Sequence, residues 1–326
     1  MKRYLLGVDI GNTKTQYVLS DTTGNIVATV YDVGASHENL GPDGAQAAIS
    51  EGIGKTVAAA GIKPEQIKYI YYGAAGADTS DDFKLLRKVY KKVTPDIPFD
   101  FENDGFIALK SGTVDGVGML ITNGTSNTNF AMNAKGELKR IGGLSFHTGD
   151  TLGAVNIAMF VCRAAIRGED GRAYPTVISR LITETFSLNE VEEIKNIPLF
   201  PENIQKVVEI FFEAARMGDG VALELTWMLV KETLHIVDEF HRDLFDHGEK
   251  FKLVLDGSVF KQKYQPFMNM LELSLSQRYR DSIKIVVPEW DPVLGAVFHA
   301  YEKSGLTLTK KISDRMIRTY LEKERS

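Results

Sequence analysis

The stretch that most constrains the fold lies near the start of the chain, where an apolar strand runs into a short polar turn. Residues 4–10 are mostly apolar, the turn reads Gly11-Asn12-Thr13-Lys14-Thr15, and an apolar run resumes at Tyr17. Two extended runs around a glycine–asparagine turn predict a β-hairpin. Glycine has no Cβ, so Gly11 leaves room for a ligand, and the turn amides and threonine hydroxyls suit phosphate oxygens. Taken alone, the turn is explained equally well as a plain hairpin.

The same arrangement occurs twice in the chain. Three strands are predicted at 4–10, 16–20 and 26–33, and three more at 116–122, 128–133 and 137–141. The first turn of the second set, Asn123-Gly124-Thr125-Ser126-Asn127, is again small and polar. A hairpin start that recurs after about one domain length indicates an internal duplication.

The duplication predicts two α/β domains, one over residues 1–113 and one over 114–307. A helical insertion is expected at about 151–247 in the second domain, and a last helix at about 308–326 is expected to pack back on the first. Within the insertion, apolar residues at helical spacing are expected to face a core; these are Leu223, Trp227, Val230, Leu234 and Val237. In the first domain, a loop at 34–43 is expected to lead into a helix at 44–60.

Composition excludes several classes of protein. The chain has 326 residues, is 44% hydrophobic and carries a net charge of −5, which is ordinary for a soluble globular protein and gives no basic surface for nucleic acid. The single cysteine, Cys162, cannot form an intrachain disulfide, so a reducing cytoplasmic location is expected. The apolar run after Met1 is too short for a signal peptide or a membrane span.

Two aspartates at strand ends are candidates for chemistry. Asp9 ends the first strand and is placed to orient a hydrated Mg²⁺, which prefers one or two carboxylates together with phosphates and water. Asp104 follows a short strand at 99–101 and opens a helix, where the helix dipole favours the carboxylate. A kinase that phosphorylates hydroxyl groups needs such a carboxylate as base. The alternative is that Asp104 only caps the helix.

Other loops are candidates for binding a nucleotide and the second substrate. The turns near Asn12 and Gly124 could hold a polyphosphate from opposite sides through amides and hydroxyls. Asp256-Gly257-Ser258 follows an apolar strand, and the glycine would let a flat nucleoside approach the backbone. His147 lies in a glycine-rich loop at 142–150 and is expected to contact substrate. For each turn, a plain turn is the alternative.

The order of these motifs resembles the actin/heat-shock-chaperone/sugar-kinase superfamily, and within it the BadF/BadG/BcrA/BcrD ATPase family, which includes N-acetylglucosamine kinase. The resemblance covers nearly the whole chain. In order, its motifs are Asp9-Ile10-Gly11-Asn12-Thr13-Lys14-Thr15, Gly34-Ala35-Ser36-His37-Glu38-Asn39, Ala75-Gly76-Ala77-Asp78, Asn103-Asp104-Gly105, Asn123-Gly124-Thr125-Ser126-Asn127, Gly142-Gly143 with Gly149-Asp150, Asp256-Gly257-Ser258-Val259-Phe260 and Pro292-Val293-Leu294-Gly295-Ala296.

The resemblance implies two duplicated ribonuclease H-like (actin-like ATPase) domains, each with a mixed five-stranded sheet. It also implies ATP-dependent phosphorylation of a hexose or an N-acetylated amino sugar, with ATP and Mg²⁺ as cofactors, Asp104 as base and Asp9 at the metal. The residues it assigns to the nucleotide are Gly11, Asn12, Thr13, Lys14, Thr15, Gly124, Thr125, Ser126, Asn127, Gly257 and Ser258. Those it assigns to the sugar are Ser36, His37, Asn39, Gly76, Asp78, Asn103, Gly143, His147 and Asp150.

The chain departs from the family pattern at three places. The glycine–threonine pair of the second phosphate motif is shifted, Thr151 replaces the acidic residue after Asp150, and His37 stands where asparagine is common. The main alternative is therefore a nucleotide-binding ATPase or sugar-responsive protein of the same fold without kinase turnover. An iron–sulfur activator of the same family would need more thiolates than Cys162 supplies, and a type III pantothenate kinase fits the later motifs poorly. The sequence leaves the sugar open, and exposed helices allow a homodimer.

Overall fold

The computed structural model describes residues 3–325. Its strands are β1 (Tyr4–Ile10), β2 (Lys14–Asp21), β3 (Ile26–Val33), β4 (Ile67–Ala74), β5 (Phe99–Asn103), β6 (Gly118–Thr122), β7 (Thr128–Met132), β8 (Leu138–Gly142), β9 (Phe251–Asp256) and β10 (Ile283–Val286). Its helices are α1 (His37–Ala60), α2 (Ser80–Val93), α3 (Asp104–Thr113), α4 (Ala154–Glu169), α5 (Val177–Phe186), α6 (Pro201–Arg216), α7 (Gly220–Leu244), α8 (Ser258–Lys261), α9 (Phe267–Tyr279), α10 (Val293–Lys303) and α11 (Lys310–Glu324).

The described chain forms two compact units. Unit 1 contains the residues up to Val117 together with those from Pro288 onward, and unit 2 contains Gly118–Val287. The chain therefore enters unit 2 once and returns. The predicted boundaries lie at 113 and 307, whereas α10 belongs to unit 1.

Each unit contains one mixed five-stranded sheet. In unit 1 the order is β3-β2-β1-β4-β5, with antiparallel pairs up to β1 and parallel pairs beyond it. In unit 2 the order β8-β7-β6-β9-β10 has the same pattern of antiparallel and parallel pairs. The repeated topology confirms the predicted α/β fold with two mixed five-stranded sheets.

Helix α10 belongs to unit 1 because glycines let it approach its neighbours closely. A Cβ added to Gly7 in β1 would lie 2.6 Å from the backbone nitrogen of Val297. A Cβ added to Gly295 would lie 1.8 Å from the carbonyl oxygen of Ile107 in α3. Both distances are far below van der Waals contact, so any larger residue would push these elements apart. The position of α10 thus depends on two glycines that are distant in sequence.

Helix α11 also packs on unit 1. Met316 and Tyr320 are buried in the same apolar cluster as residues of α10. The Tyr320 hydroxyl donates to the Asp291 carboxylate at 2.5 Å and accepts from the Gln16 side-chain amide at 2.7 Å. Burial of an apolar face together with these polar contacts fixes the C-terminal helix beside β2 and β3.

The predicted helical insertion of unit 2 consists of α4, α5, α6 and α7. Of the stripe predicted on α7, Val230, Leu234 and Val237 are fully buried. Trp227 is 44% exposed, so its assignment to the core was wrong. Trp227 lies at the margin of the apolar face of α7. This face is narrower than the spacing of apolar residues in the sequence indicates.

The predicted loop at 34–43 is partly helical. Helix α1 begins at His37 because Ser36 caps it, accepting a hydrogen bond from the Glu38 N–H at 3.3 Å. Gly41, with φ 66° and ψ 172°, interrupts the helical backbone just before Pro42, and the helix continues beyond this kink. The glycine–proline pair is typical of a helix boundary, which explains why the sequence predicts a later start. His37 therefore lies in a first helical turn rather than in a loop.

Candidate functional site

The carboxyl ends of β1, β4 and β5 lie side by side in unit 1. In the strand register Asp9 is opposite Gly73, and Gly73 is opposite Glu102. Just beyond the strands, the Ala75 N–H donates to the carbonyl oxygen of Ile10 at 2.9 Å. Ligands of open α/β sheets bind at such carboxyl ends. The predicted site residues of unit 1 lie at or just beyond the ends of these three strands and at the start of α1.

The turn between β1 and β2 is held by the segment that leads into α1. Gly34 donates its N–H to the Thr13 carbonyl at 3.2 Å, and the Asn39 side-chain amide donates to the Asn12 carbonyl at 3.1 Å. A Cβ added to Gly34 would lie 2.2 Å from the Asn12 oxygen, so the approach requires glycine. Asn12, Thr13 and Lys14 are exposed. The predicted phosphate turn is therefore fixed through its backbone while its residues face solvent.

Thr15 has a different environment from the rest of this turn. Its side chain is fully buried, and its hydroxyl accepts the N–H of Ala35 at 2.9 Å. Gly11 closes the turn by donating its N–H to the Lys14 carbonyl at 3.0 Å. The Thr15 hydroxyl therefore has a structural role in holding the turn. The sequence pattern does not distinguish Thr15 from the exposed Thr13.

His37 is packed against the loop after β4. A Cβ added to Gly76, which has φ 77°, would lie 2.9 Å from the imidazole carbon Cε1 of His37. The His37 Nε2 lies 3.8 Å from the Asp82 carboxylate, and within residues 3–325 its buried Nδ1 has no hydrogen-bond partner. A buried polar atom without a partner is a place where a ligand can bind. Asp82 is not among the predicted site residues, although Thr79 and Asp82 form a recognisable capping box at α2.

Asp104 is the first residue of α3, where its carboxylate is favoured by the helix dipole. The helix is capped by Asn103, whose Oδ1 accepts the N–H of Gly105 at 2.9 Å. The Asn103 side-chain amide donates to Asp78 at 3.0 Å, which joins the loop after β4 to the start of α3. The Asp104 Oδ1 also accepts the Gly105 N–H, at 2.9 Å. The N-cap position thus belongs to Asn103 rather than to Asp104.

In unit 2 the predicted nucleoside and phosphate motifs pack on each other. Asn123 is fully buried, donates its N–H to the Asp256 carbonyl at 2.8 Å and accepts the Val259 N–H on its carbonyl at 3.0 Å. Gly257 has φ 101°, and a Cβ there would lie 2.4 Å from the Asn123 carbonyl carbon. The protein's own backbone therefore fills the space in which a Cβ at position 257 would lie. The predicted contact of a nucleoside with Gly257 stays a prediction, and Ser258, which starts α8, is exposed.

The turn Gly124-Thr125-Ser126-Asn127 lies against the start of α4. The carbonyls of Gly124 and Thr125 accept the N–H groups of Ala154 at 2.8 Å and Val155 at 3.3 Å. The side chains of Thr125 and Ser126 are exposed, whereas Asn127 is 4% exposed. Among the described atoms, the Asn127 Oδ1 has no hydrogen-bond partner. The exposed hydroxyls of Thr125 and Ser126 can donate to phosphate oxygens, whereas the carbonyls, which are acceptors, cannot.

The glycine-rich loop folds over the same turn. Gly142 has φ 74°, and a Cβ there would lie 2.7 Å from the Asp150 Oδ1. Asp150 closes the loop by accepting the Leu144 N–H at 2.8 Å. A cavity of about 480 Å³ lies between this loop, the turn and α4, and its lining includes Asn127, Gly143 and Asp150. His147 is exposed beyond it, with its Nδ1 2.5 Å from the Ser145 hydroxyl.

The structure gathers the predicted residues in two groups. Unit 1 brings together Asp9, Gly11, Asn12, Thr13, Lys14, Ser36, His37, Asn39, Gly76, Asp78, Asn103 and Asp104. Unit 2 brings together Gly124, Thr125, Ser126, Asn127, Gly143, Asp150, Gly257 and Ser258. Sequence reasoning missed Leu144, Phe146 and Met159 as lining residues of the cavity, since isolated apolar residues in a loop or helix carry no specific signal.

The acidic groups fit a magnesium ion that is held with a phosphate ligand. Within residues 3–325 there is no cluster of three or more His, Cys, Asp or Glu side chains that could hold a metal unaided. Mg²⁺ needs only one or two carboxylates when phosphates and water complete its shell, and Asp9 at the strand end beside the turn can supply one. None of the described helices is long and apolar enough to cross a membrane.

The chain is similar to known proteins over most of its length. The family model described as the BadF/BadG/BcrA/BcrD ATPase family matches residues 6–300. N-acetyl-D-glucosamine kinase of Dictyostelium discoideum is 26% identical over 314 residues, which is 92% of this chain and 98% of that protein. N-acetylmuramic acid/N-acetylglucosamine kinase of Clostridium acetobutylicum is 24% identical over 309 residues, 91% of this chain and 98% of that protein.

Solved structures share the fold. A candidate N-acetylglucosamine kinase from Chromobacterium violaceum superimposes with a TM-score of 0.69 at 19% identity, covering 91% of this chain and 99% of that one. A ROK family glucokinase from Streptomyces griseus, solved with glucose and AMPPNP, gives a TM-score of 0.56 at 16% identity, covering 92% and 98%. At these identities the structural likeness establishes the fold alone.

Proposed function

Because the chain belongs to the BadF/BadG/BcrA/BcrD ATPase family, as its motif order indicates, we propose that it is an ATP-dependent kinase of an N-acetylated amino sugar. The observation that carries the proposal is the arrangement around Asp104. This carboxylate starts α3, and the preceding Asn103 donates a hydrogen bond to Asp78 at the edge where Asp9 and the exposed turn also lie. The N-acetylglucosamine kinases similar to this chain support the substrate class.

In the proposed reaction, Asp104 orients a sugar hydroxyl and accepts its proton. The helix N-terminus favours the carboxylate form that this role needs. Asn103 and Asp78 fix the start of α3, and the unpaired Nδ1 of His37 is available to a hydroxyl of the sugar. When bound, ATP supplies the phosphoryl group and Mg²⁺ neutralises its charge.

The groups proposed for phosphate binding differ between the units. In unit 1 the exposed residues Asn12, Thr13 and Lys14 would contact phosphate oxygens, and Asp9 would orient the magnesium ion. In unit 2 the exposed hydroxyls of Thr125 and Ser126 would do so. Amide and hydroxyl donors stabilise charge without losing a proton, which suits phosphoryl transfer. A cytoplasmic location and a homodimer stay predictions from the sequence.

The alternative of an ATPase or sugar-responsive protein without kinase turnover is not favoured. Both curated relatives are kinases, and each is matched over 98% of its length. The shifted glycine–threonine pair near Gly124 still leaves Thr125 and Ser126 exposed, so the departure from the family pattern does not remove the hydroxyl donors.

The test is ATP turnover with a panel of hexoses, amino sugars and N-acetyl sugars, with Asp104→Asn compared with the parent. Loss of a general base lowers kcat by about 10²–10⁴-fold, so we expect the variant to lose activity in this range. Asp96→Asn is the matched control, because Asp96 is an exposed aspartate of the same unit and the change removes the same charge. The control should keep parental kcat.

Two results would contradict the proposal. If Asp104→Asn kept parental activity, this carboxylate would not be the base. ATP turnover that no sugar of the panel stimulates would instead support the ATPase alternative. Sugar binding measured by calorimetry distinguishes a binding protein without turnover from a protein that binds no sugar.

A further inference from the structure

Three aromatic rings form a stack that joins three elements of unit 1. Tyr71 of β4 stacks on His299 of α10, with 4.5 Å between the ring centroids and 19° between the ring planes. Phe106 of α3 also stacks on His299, with 5.3 Å between the centroids and 9° between the planes. Parallel rings at such distances attract one another. The stack therefore connects β4, α10 and the first turn of α3.

The ring that the two contacts share is uncharged. Burial lowers the pKa of His299 to about 3, and the positive charges of Lys110 and Lys303 act in the same direction. Within residues 3–325 the buried Nε2 of His299 has no hydrogen-bond partner. A buried polar atom without a partner is unfavourable, so Nε2 does not stabilise the packing of α10. His299 therefore contributes a flat, neutral ring to this interface.

The first turn of α3 is held at two points. Ile107 lies on β4, because a Cβ added to Gly73 would lie 2.2 Å from the Ile107 Cδ1. Phe106 lies against α10 through the ring of His299. Successive residues of a helix point about 100° apart, so the two contacts are on different sides of α3. The Ile107 contact sets the distance of the helix from the sheet, and the Phe106 contact sets its rotation about its own axis.

The rotation of α3 affects the position of Asp104. This residue is the first of the helix and precedes Phe106 by two positions. A helix with its side chains is about 10–12 Å wide, so a rotation of about 10° moves the end of a side chain by about 1 Å. A displacement of about 1 Å in a catalytic group can lower the rate by about 10²-fold. A small rotation of α3 would therefore have a large effect on the carboxylate.

We propose that the stack of Tyr71, His299 and Phe106 fixes the rotation of α3 and thereby the position of the Asp104 carboxylate. His299 and Phe106 are then positioning residues, because they act through α3 and belong to none of the predicted binding motifs. The inference rests on the proposed function, in which Asp104 is the base.

The test is steady-state kinetics with the sugar that the parent phosphorylates. In His299→Leu a branched side chain replaces the flat ring, so Phe106 loses its support and α3 can rotate. We expect kcat to fall by about tenfold, which is part of the loss for a displacement of about 1 Å. The KM values for ATP and sugar should stay within about twofold of the parent, as for an interaction that acts only in the transition state. The conservative variant His299→Phe keeps a flat ring and should keep kcat close to the parental value.

The matched control is Tyr301→Phe on the same helix. The Tyr301 hydroxyl donates to the Thr22 carbonyl at 2.9 Å, in the turn between β2 and β3. Loss of this hydrogen bond should lower the midpoint of urea unfolding without affecting α3. We therefore expect parental kcat in Tyr301→Phe under conditions where circular dichroism shows it to be folded. A fall of kcat in this control equal to that in His299→Leu would mean that general destabilisation of α10 explains the loss.

A double-mutant cycle gives a second test, which does not depend on the folding of His299→Phe. Phe106→Leu should lower kcat by about as much as His299→Leu, because each substitution breaks the same contact. The double variant should then lose no more than either single variant. If the two residues acted separately, the losses would multiply to about 10²-fold, and this result would overturn the inference.

The outcomes separate this inference from the proposed function. If Asp104→Asn loses sugar kinase activity but His299→Leu and Phe106→Leu keep parental kcat, the positioning role is wrong and the kinase stands. A rise in KM without a fall in kcat also overturns the positioning role. If the parent phosphorylates no sugar of the panel, the proposed function fails and this inference with it. A non-additive fall in kcat at unchanged KM in both leucine variants supports it.

Discussion

The close approach of α10 to α3 gives a sharp prediction, because it depends on the absence of a single carbon atom. In Gly295→Ala the new Cβ would lie 1.8 Å from the carbonyl oxygen of Ile107 and 2.8 Å from the backbone nitrogen of Ser111. Both obstacles are backbone atoms of a helix, so no side-chain rotation relieves the contact. The two helices must separate by roughly 1 Å or more to restore van der Waals distances.

The magnitude follows from two opposing effects. Alanine is a better helix former than glycine by about 1 kcal/mol. Overpacking of a tight contact costs about 1–3 kcal/mol and occasionally more, and a backbone contact this short belongs at the upper end. We therefore expect Gly295→Ala to lower the free energy of unfolding by about 2 kcal/mol.

The same displacement should reach the candidate base. Asp104 begins α3, and Ile107 lies one turn further along this helix. A shift of about 1 Å in a catalytic group can lower the rate by about 10²-fold. We therefore expect kcat to fall in Gly295→Ala even under conditions where the variant is fully folded.

The matched control is Gly54→Ala in α1. Gly54 is exposed in the helix, and no atom lies within 4 Å of the position its Cβ would occupy. The same substitution should there raise stability by about 1 kcal/mol and leave kcat unchanged. Urea unfolding followed by circular dichroism gives both free energies. Equal stability of Gly295→Ala and the parent, or shifts of the same sign in both variants, would refute the packing argument.

Two further predictions concern other parts of the molecule. Tyr320→Phe removes the hydroxyl that donates to Asp291 and accepts from Gln16, so the free energy of urea unfolding should fall by about 1–3 kcal/mol. Burial raises the pKa of the Cys162 thiol to about 11, so the reactive thiolate is scarce in the native protein near neutral pH; alkylation by iodoacetamide should be slow at pH 7 to 9, rise as the pH approaches 11, and become fast at pH 8 once urea unfolds the chain.

Much of the fold could be predicted because the signals are local. The strands at Tyr4–Ile10 and Ile26–Val33 begin and end where the pattern of apolar and turn residues places them. The recurrence of the pattern near residue 118 leads directly to two sheets of one topology. The start of α1 could not be predicted in the same way, because the cap by Ser36 competes with a glycine–proline break five residues later. When a helix cap and a helix break lie this close together, only packing in the folded protein decides where the helix begins.

The return of the chain to unit 1 depends on non-local contacts. Gly7 and Gly295 are almost three hundred residues apart, and only the folded structure shows that α10 meets both β1 and α3 there. The same limit affects the candidate site. Gly257 has the residue type that suits a ligand contact, yet the Asn123 backbone fills the space in which its Cβ would lie. Thr15 is buried, while the nearby Thr13 is exposed. Residue type predicts where a loop can bind something but not which side of it is already occupied.

The duplicated topology explains why the two units offer different chemistry from equivalent positions. Near the end of β1 in unit 1, Asp9 is opposite Gly73, whereas the equivalent strand β6 of unit 2 ends with Thr122 opposite Asp256. The Thr122 hydroxyl is used within the hairpin, where it donates to the Thr128 carbonyl at 2.8 Å and accepts the Thr128 N–H at 2.7 Å. The hydroxyls that unit 2 exposes beyond this strand are those of Thr125 and Ser126. Carboxylates suit a metal ion and a proton, while hydroxyls and amides suit phosphate oxygens. One topology with exchanged side chains can thus supply both requirements of a phosphoryl transfer.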